Sequence, residues 1–238
     1  MQEITIIQEP TAEKPFCIVS KPRGLPSAPL SADDFQNCFC RAAAVFPELK
    51  AVSGRKAVER GLLHRLDTET EGLLLIAQTQ EFYDFMIEEQ KNGRFEKTYE
   101  AITEQDFQNA GKLSGFPPAP AAVPGEKIEI SSYFRNFGPG LKSVRPVTEE
   151  SGKAALKKTG SIKIYRTEIF ISEDFHAVCK IREGYRHQVR CHLAWCGYPI
   201  KGDRVYNASC REGESLHFKA AGLRFNNPIT GKQEFYSI

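Results

Sequence analysis

One stretch of the chain places charged side chains directly before an apolar run. The sequence HRLD at residues 64–67 is followed by TETE and then by GLLL, which must enter a hydrophobic core. A carboxylate at the mouth of a buried strand is costly unless a cation pairs with it, and Arg65 lies on the same face of an extended segment as Asp67. An aspartate kept ionised in this way can act as a nucleophile or stabilise a developing sugar cation.

Neighbouring acidic residues leave a second chemistry open. Glu69 and Glu71 lie close to Asp67, and a pair of carboxylates is what glycoside hydrolysis requires. Acidic residues in a turn usually face solvent, and a four-letter match is also compatible with an incidental surface charge pair. The choice between a site and a surface therefore depends on the other segments.

A second segment, KTYEA at residues 97–101, has the alternation of a strand. Lys97 and Tyr99 fall on one face of it. The phenol of Tyr99 can serve proton transfer or stacking in a cleft, or it can be an ordinary core residue with a wet edge.

A third segment, GYRHQVRCHL at residues 184–193, has a glycine turn that leads into a helix. The first helical turn carries Arg186, His187 and Gln188, an arrangement that favours the binding of an anion at the start of the helix. Two pairs with i,i+4 spacing could bind zinc, although their cysteines also fit a buried helix face. These pairs are His187 with Cys191 and His192 with Cys196.

Hydrophobic periodicity predicts the elements that position these residues. Strands are expected at residues 4–7, 16–19, 72–77, 95–102, 161–171, 176–182 and 216–218. Helices are expected to begin near Asp33 or Asp34 and to span 81–91 and 187–196, and the Pro- and Gly-rich residues 111–140 are expected to be irregular and mobile. Strands mostly follow one another without helical crossovers, which predicts an α+β fold: a single domain over residues 1–238, with a mixed, largely antiparallel sheet, flanking helices and a central cleft.

Composition excludes several classes of protein. The 238 residues are 41% hydrophobic and 26% charged, no apolar run approaches the length needed to cross a bilayer, and the first residues lack the basic-then-apolar pattern of a signal peptide. Seven cysteines without a CxxC pair predict reduced thiols in a cytoplasmic protein. The net charge is only +2, but residues 140–166 hold seven Lys/Arg against two Glu, and Lys180, Arg182, Arg186 and Arg190 follow. This stripe could neutralise phosphates or be a solvated face.

Taken together, these segments resemble the RluA-type pseudouridine synthase family. Residues 64–75 match its HRLDxxTSGLLL signature with Glu71 in place of serine, and residues 97–101 match KxYxA. Residues 184–206 match GRxHQIRxHLxxxGxPIxGDxxY, KPRGLP at 21–26 resembles an opening KPxG loop, and LHF at 216–218 with Asn227-Pro228 resembles a closing element. The resemblance spans roughly residues 16–232, with the motifs in the expected order.

The resemblance implies isomerisation of uridine to pseudouridine in an RNA whose target base is flipped out, with no cofactor and no metal. It implies that Asp67 is the catalytic aspartate, that Tyr99 stacks on the base and accepts a proton, and that Arg190 keeps the catalytic carboxylate ionised. Arg65 would hold the flipped-out RNA. The remaining motif positions are expected to bind substrate: His64, Thr70, Gly72, Arg186, His187 and Gln188.

The expected partner is rRNA or tRNA, bound by a monomer with no obligate protein partner and no membrane association. No appended N-terminal RNA-binding module is expected, so residues 111–140 and the basic stretch after them are the candidates for RNA recognition. Two alternatives remain: a module that binds RNA without converting it, and a nucleoside or glycoside hydrolase that uses Asp67 and Glu69.

Overall fold

The computed structural model describes residues 3–106, 113–159 and 163–238 and shows a chain rich in strands. The strands are β1 (Thr5–Gln8), β2 (Phe16–Lys21), β3 (Glu71–Ala77), β4 (Glu96–Ile102), β5 (Lys127–Phe137), β6 (Ser143–Val147), β7 (Tyr165–Ile171), β8 (His176–Ile181), β9 (Phe218–Asn226) and β10 (Gln233–Ser237). The helices are α1 (Cys38–Val45), α2 (Gln80–Lys91), α3 (Lys153–Leu156) and α4 (Gln188–Trp195). Single turns of 3-10 helix span Pro47–Ala51, Pro139–Leu141 and Glu149–Ser151. The predicted α+β class is confirmed. No helix in these described ranges is long and apolar enough to span a membrane.

The chain divides into two compact units. Unit 1 comprises Met1–Lys97 and Lys219–Ile238, and unit 2 comprises Thr98–Phe218, so the boundaries fall inside β4 and β9. In unit 1 the strands pair in the order β1-β2-β3-β9-β10, with β3 and β9 parallel and the other pairs antiparallel. In unit 2 the order is β4-β8-β7-β5-β6, and the pairs of β5 with β6, β5 with β7, and β7 with β8 are antiparallel. The mixed, largely antiparallel pairing agrees with the sequence analysis.

The core of unit 1 forms between β3 and α2. Thr79 caps α2 by accepting a hydrogen bond from the Phe82 amide, and the helix buries Phe82 and Met86. The ring of Phe82 stacks on Phe16 of β2, with ring centroids 5.0 Å apart. Because β3 is buried on both faces after its first residue, it is a rigid base for the turn that precedes it.

The core of unit 2 forms where α4 packs on β5, β6 and β7. Every residue of α4 is buried. His192 lies between two hydroxyl groups, with Nε2 2.9 Å from Ser132 Oγ and Nδ1 2.8 Å from Thr167 Oγ1. Burial lowers the pKa of His192 to about 3, so the ring is neutral at physiological pH.

The helix expected to begin near Asp33 or Asp34 begins instead at Cys38. The carboxylate of Asp34 accepts hydrogen bonds from the backbone amides of Leu30 and Gln36, which forms a turn rather than a helical start. Asn37 is the N-cap, because its side chain accepts a hydrogen bond from the Cys40 amide.

The expected irregular segment 111–140 is partly a long strand. Residues 111 and 112 lie outside the described residues, but β5 occupies 127–137. Residues 127–132 of this strand pair with β7 and residues 133–137 pair with β6, and this pairing outweighs the Pro- and Gly-rich composition of the segment before the strand. The strand expected at 161–171 begins at Tyr165, and residues 161 and 162 lie outside the described residues.

The strand expected at 216–218 begins at Phe218 and extends to Asn226. Lys219 and Ala220 pair with β3, and residues 222–226 pair with β10, which the sequence did not predict. The turn between β9 and β10, at residues 227–231, is the one expected from NPITG, and the Asn227 carbonyl accepts a hydrogen bond from the Gly231 amide.

Candidate active site

Asp67 of unit 1 lies in a tight turn immediately before β3. It is half-buried, and its backbone carbonyl accepts a hydrogen bond of 3.0 Å from the amide of Thr70. Glu71, the next residue, is the first of the strand. The HRLD segment therefore runs directly into a buried strand, as the sequence predicts.

The KPRGLP loop and the following serine hold this turn on both sides of Asp67. Ser27 Oγ donates to the Leu66 carbonyl at 2.8 Å and accepts from the Leu66 amide at 2.9 Å. The amide of Gly24 donates to the Thr68 carbonyl at 2.8 Å. Since the residues before and after Asp67 are both fixed, the backbone of Asp67 has little freedom of orientation.

Lys21, the first residue of the KPRGLP loop, also holds the turn around Asp67 in place. The side chain is fully buried, and its ammonium donates to the carbonyls of Pro22, Leu25 and Thr68 at 3.0, 2.8 and 3.1 Å. Burial lowers the pKa of Lys21 to about 8, against the opposing influence of nearby negative groups that include Asp67. Lys21 thus joins the loop to the Asp67 turn and places a buried positive charge near the carboxylate.

Gly72 allows close contact between β3 and β9. Its φ is +121°, and a Cβ at this position would lie 2.3 Å from the carbonyl oxygen of Ala220. A side chain is therefore excluded by both the backbone conformation and the available space. Thr70, beside it, is buried, and its hydroxyl has no hydrogen-bond partner among the described residues.

The charged neighbours of Asp67 have their own partners. Arg65 is exposed, and its guanidinium forms a 2.8 Å ion pair with Glu59. Glu71 lies 3.8 Å from the guanidinium of Arg23 in the KPRGLP loop. The sequence analysis expected Arg65 to pair with Asp67, and in the structure the ion-pair partner of Arg65 is Glu59. The charge of Glu71, which replaces the usual serine of the motif, is balanced by Arg23 of the same unit.

His64 is directed into the core of unit 1. Its Nε2 accepts a hydrogen bond of 3.2 Å from the Leu75 amide, and its ring packs edge-on against Phe95. Burial, with a smaller contribution from Lys97, lowers the pKa of His64 to about 3. The ring is therefore neutral, and Nδ1 is a buried donor without a partner among the described residues.

Tyr99 of unit 2 lies on β4, where residues alternate between buried and half-buried as the sequence predicts. Lys97, Tyr99 and Ala101 are the buried members of the alternation. The ring of Tyr99 stacks on Phe218, with centroids 5.1 Å apart and planes 12° from parallel. An aromatic platform of this kind suits stacking on a base.

Arg190 of unit 2 forms a bidentate ion pair with Asp203. The guanidinium Nε and Nη2 each lie 2.7 Å from a carboxylate oxygen, and both side chains are almost fully buried. Asp203 Oδ1 also accepts hydrogen bonds from the amides of Val205 and Tyr206. The face of the guanidinium lies 5.5 Å from the centroid of the Tyr206 ring, so Arg190 is fixed in position and orientation.

The other predicted residues of this segment lie around the start of α4. Arg186 is exposed and donates to Asn136 Oδ1 and to the carbonyls of Leu141 and Ser143. Gln188 is buried, accepts from the Tyr185 amide, and donates to the Arg166 carbonyl and Thr167 Oγ1. His187 is the half-buried N-cap of α4. Their predicted contacts with substrate stay predictions.

The cysteines of the two His/Cys pairs considered for zinc are buried thiols. Burial raises the pKa of Cys196 to about 12 and that of Cys191 further. His192 is held by Ser132 and Thr167. In the described ranges, no three side chains of the metal-binding types are grouped. All seven cysteines are free thiols.

Acidic partners neutralise part of the basic stripe. Ion pairs join Lys163 to Glu183 at 2.9 Å, Arg166 to Glu129 at 3.7 Å and Arg182 to Glu168 at 2.7 Å. Arg145 is buried, donates to the Ser114 carbonyl at 2.7 Å, and lies over the rings of Phe116 and Phe137. The described part of the chain shows no ion pair for the three lysines of α3 and the turn after it: Lys153, Lys157 and Lys158.

Sequence reasoning assigned no role to four residues that hold the candidate site in place. Lys21 and Ser27 fix the Asp67 turn, and Asp203 and Tyr206 fix the start of α4. A lysine at the end of an apolar strand is the signal that could have identified Lys21, since such a lysine needs compensation. The contacts of Ser27 depend on tertiary structure and have no local signal.

Comparisons with known proteins identify the family. Residues 15–195 match the family model for RNA pseudouridylate synthase. The ribosomal large subunit pseudouridine synthase D of Zymomonas mobilis is 29% identical over 226 residues, which cover 91% of this chain and 63% of that protein. An uncharacterized RNA pseudouridine synthase of Aquifex aeolicus is 27% identical over 249 residues, covering 99% of this chain and 69% of that protein. The chain thus spans less than two thirds of the length of the Zymomonas relative.

Solved structures share the fold. Human RNA pseudouridylate synthase domain containing 1 superposes with a TM-score of 0.65 at 18% identity, covering 99% of this chain and 83% of that chain. Human RNA pseudouridylate synthase domain containing 4 gives a TM-score of 0.59 at 18% identity, covering 98% and 87%. The family match extends over most of the chain, so the protein belongs to the RNA pseudouridylate synthase family.

Proposed function

We propose that this protein is an RNA pseudouridine synthase that isomerises specific uridines of structured RNA, with Asp67 as its catalytic residue. The observation that carries this proposal is the turn around Asp67, which Ser27, Gly24 and Lys21 hold on both sides. A reacting carboxylate must keep its position while the bonds at a sugar carbon change, and such a fixed backbone provides this preorganisation.

The reaction requires only rearrangement within one nucleotide. The bond from uracil N1 to the anomeric carbon breaks, the base turns, and uracil C5 bonds to the same carbon. C5 then loses its proton, and N1 ends with one. In this scheme Asp67 acts as the nucleophile or stabilises the sugar cation during detachment, and no external oxidant, reductant or metal takes part.

The other site residues have complementary roles in the proposal. Tyr99 stacks on the detached base and so extends the aromatic stack that its ring forms with Phe218. Its phenol oxygen accepts the proton from C5. Arg190 keeps the catalytic carboxylate ionised, and its own orientation is fixed by Asp203. Arg65 leaves its exposed ion pair with Glu59 when RNA binds and then contacts the flipped-out RNA.

Ribosomal RNA is the first substrate to test, with tRNA as the second. The Zymomonas relative and a Pseudomonas aeruginosa protein, 23% identical over 209 residues, are both named as ribosomal large subunit pseudouridine synthase D. In this proposal the protein acts as a monomer in the cytoplasm, where the RNA is processed, and needs no protein partner.

The experiment uses unmodified transcripts of large-subunit rRNA and of tRNA labelled with tritium at uracil C5. We expect the wild-type protein to release tritium and to leave the mass of the RNA otherwise unchanged. Asp67→Asn should release at least about 1,000-fold less while its Kd for RNA changes less than about threefold, since it keeps the shape of the side chain. Appreciable turnover by Asp67→Asn would exclude Asp67 as the catalytic residue.

Glu69→Gln is the matched control, because Glu69 is an exposed carboxylate in the same turn. We expect it to keep full activity. Free uracil in the reaction, together with loss of activity in Glu69→Gln, would support the hydrolase instead. RNA binding by the wild-type protein without tritium release on any transcript would support the binding module.

We further propose that Lys153, Lys157 and Lys158 contact RNA phosphates. Their charges are not neutralised by ion pairs among the described residues, in contrast to Lys163, Arg166 and Arg182. Replacing the first three with alanine should reduce the slope of log K against log salt by about 2 to 3. The same change in the acid-paired three is the control, and equal effects of the two triple variants would contradict this assignment.

A further inference from the structure

A closed loop precedes the HRLD segment in unit 1 and comprises residues 54–60. Its two ends meet, because Gly54 packs so closely on Arg60 that a Cβ on the glycine would lie 1.9 Å from the Arg60 carbonyl oxygen. The hydroxyl of Tyr83 in α2 accepts a hydrogen bond of 2.9 Å from the Arg55 amide. The 54–60 loop therefore presents its side chains from a fixed backbone.

The side chains of this loop carry an excess of positive charge. Its exposed cations are Arg55, Lys56 and Arg60, and its single carboxylate belongs to Glu59. In the part of the chain that the structure describes, neither the Arg55 nor the Arg60 guanidinium forms an ion pair. Because a guanidinium is always charged in proteins, these two groups present uncompensated positive charge to solvent.

The carboxylate of Glu59 lies between two cations. Its Oε1 is 3.3 Å from Nζ of Lys56 and 2.8 Å from Nη1 of Arg65, and the side chain is only 16% exposed. A phosphate oxygen makes the same charge-assisted contacts with lysine and arginine as a carboxylate oxygen does. Glu59 therefore marks a position that suits an anionic oxygen, and this position adjoins the residue two places before Asp67.

The backbone of Arg60 has a conformation that an arginine adopts at a cost. Its φ is 48°, in the left-handed region, where glycine has no steric penalty. The contact with Gly54 holds this conformation, while the Arg60 side chain is exposed. A charged, exposed side chain at a strained position indicates that the side chain has a role in binding.

We infer that the 54–60 loop is an RNA-contact surface, on which Arg55 and Arg60 bind backbone phosphates and a further phosphate takes the place of Glu59. This inference rests on the proposed function for the identity of the ligand. The ion pair of Glu59 with Arg65 joins the loop to the HRLD segment, so the surface borders the turn at which the proposed reaction takes place. The forked guanidinium groups match the geometry of phosphate oxygens, and such contacts hold an RNA in register without reading its sequence.

Removal of the two guanidinium groups without ion pairs tests the surface. We expect Arg55→Gln/Arg60→Gln to raise the Kd for a large-subunit rRNA transcript about 10-fold at about 100 mM salt. The slope of log K against log salt should fall by about 1.5 to 2, because two phosphate contacts are lost. Arg224→Gln/Lys232→Gln is the matched control, since it removes two exposed cations from the β9–β10 hairpin of the same unit, and its Kd should change less than about twofold. Equal effects of the two double variants would overturn the inference.

Glu59→Gln tests whether a phosphate takes the place of the carboxylate. The substitution keeps the shape of the side chain and removes the charge that competes with RNA for Lys56 and Arg65. We expect the Kd for the same transcript to fall about three- to fivefold. Glu88→Gln is the control, because Glu88 is an exposed carboxylate of the same unit that pairs with Lys91, and its Kd should change less than about 1.5-fold. An unchanged or higher Kd for Glu59→Gln would overturn the inference.

Arg60→Gly separates binding by the side chain from a structural role of Arg60. Glycine adopts φ 48° without steric cost, and this relief offsets the greater freedom of glycine in the unfolded chain. We therefore expect the urea midpoint to stay unchanged while the Kd for the rRNA transcript rises about threefold. A lower urea midpoint with a wild-type Kd would show a purely structural role and overturn the inference.

The two proposals can fail separately. If no transcript yields pseudouridine while Arg55→Gln/Arg60→Gln weakens RNA binding, the proposed function fails and the RNA-contact surface is supported. If the wild type releases tritium while the double variant keeps the wild-type Kd and salt slope, the surface is wrong and the function is supported. Weaker binding of the double variant to phosphatidylglycerol vesicles, with an unchanged Kd for RNA, would overturn the inference in favour of a membrane surface.

Discussion

Lys21 makes the stability of this protein depend on pH in the alkaline range. Its ammonium is fully buried against three backbone carbonyls, and burial lowers its pKa from 10.5 to about 8. In the unfolded chain the pKa returns to the ordinary value. Between pH 8 and 10.5 the unfolded chain therefore binds more protons than the folded one, so the free energy of unfolding increases with pH. This contribution is complete above pH 10.5 and is lost as the pH falls through 8.

The size of the effect follows from the difference between the two pKa values. At about 1.4 kcal/mol per pKa unit, the full contribution is about 3.4 kcal/mol, of which about 1.4 kcal/mol is gained by pH 9 and about 2.5 kcal/mol by pH 10. Tyrosines and thiols also titrate in this range. The useful quantity is therefore the difference in the free energy of unfolding between the wild type and Lys21→Met, in which these common contributions cancel.

Urea unfolding of both proteins at pH 7, 8, 9 and 10, under reducing conditions, measures this difference. We expect it to shift in favour of the wild type by about 2.5 kcal/mol from pH 7 to pH 10. Lys91→Met is the matched control, because Lys91 is exposed and pairs with Glu88 at the surface. Its difference from the wild type should stay constant. A constant difference for Lys21→Met as well would refute the assignment of Lys21 as a buried cation.

Three further predictions concern residues near and away from Asp67. Gly72→Ala should lower the free energy of unfolding by about 3 kcal/mol in urea, because the new Cβ would meet the Ala220 carbonyl; a stable variant would show that the strands can separate. Glu71→Ser should change stability by less than about 0.5 kcal/mol and keep kcat, since Glu71 pairs with Arg23 at the surface; a 10-fold loss of kcat would contradict this. His192 has a pKa of about 3 in the folded protein, so below pH 6.5 the unfolded chain binds one more proton than the folded one. The free energy of unfolding of the wild type should therefore fall by about 1.4 kcal/mol per pH unit relative to that of His192→Gln. Equal acid sensitivity of the two proteins would argue against a neutral buried ring.

The sequence was sufficient for the elements whose patterns are local. The apolar run after HRLD became β3, the alternation around Tyr99 became β4, and the glycine turn at 184 led into α4. Each of these has a periodicity that one element determines by itself. The α+β class followed from their order along the chain.

The missed elements depend on contacts that are distant in sequence. The strand β9 contains an Ala-Ala-Gly run with little strand propensity, and pairing with β3 and β10 stabilises it. β5 follows a Pro- and Gly-rich segment whose composition masked its alternation. The start of α1 depended on which of two polar residues caps the helix, and Asn37 does so because Asp34 already holds a turn.

The same limit applies to the candidate site. Asp67, Tyr99 and Arg190 could be selected by residue type and motif, but the partners that fix them could not. Ser27 holds Leu66, and Asp203 holds Arg190, through contacts that exist only after the chain has folded. The residues that react are thus more visible in a sequence than the residues that position them.

The parallel pairing of β3 with β9 also has a consequence for the order in which the protein folds during synthesis. Glu71 and Gly72 obtain their neighbours Lys219 and Ala220 only after the whole of unit 2 has been made. Until then the edge of β3 beside the Asp67 turn is unpaired. A ribosome-bound chain that ends before residue 219 should therefore expose an unpaired strand edge beside the Asp67 turn and need protection from aggregation.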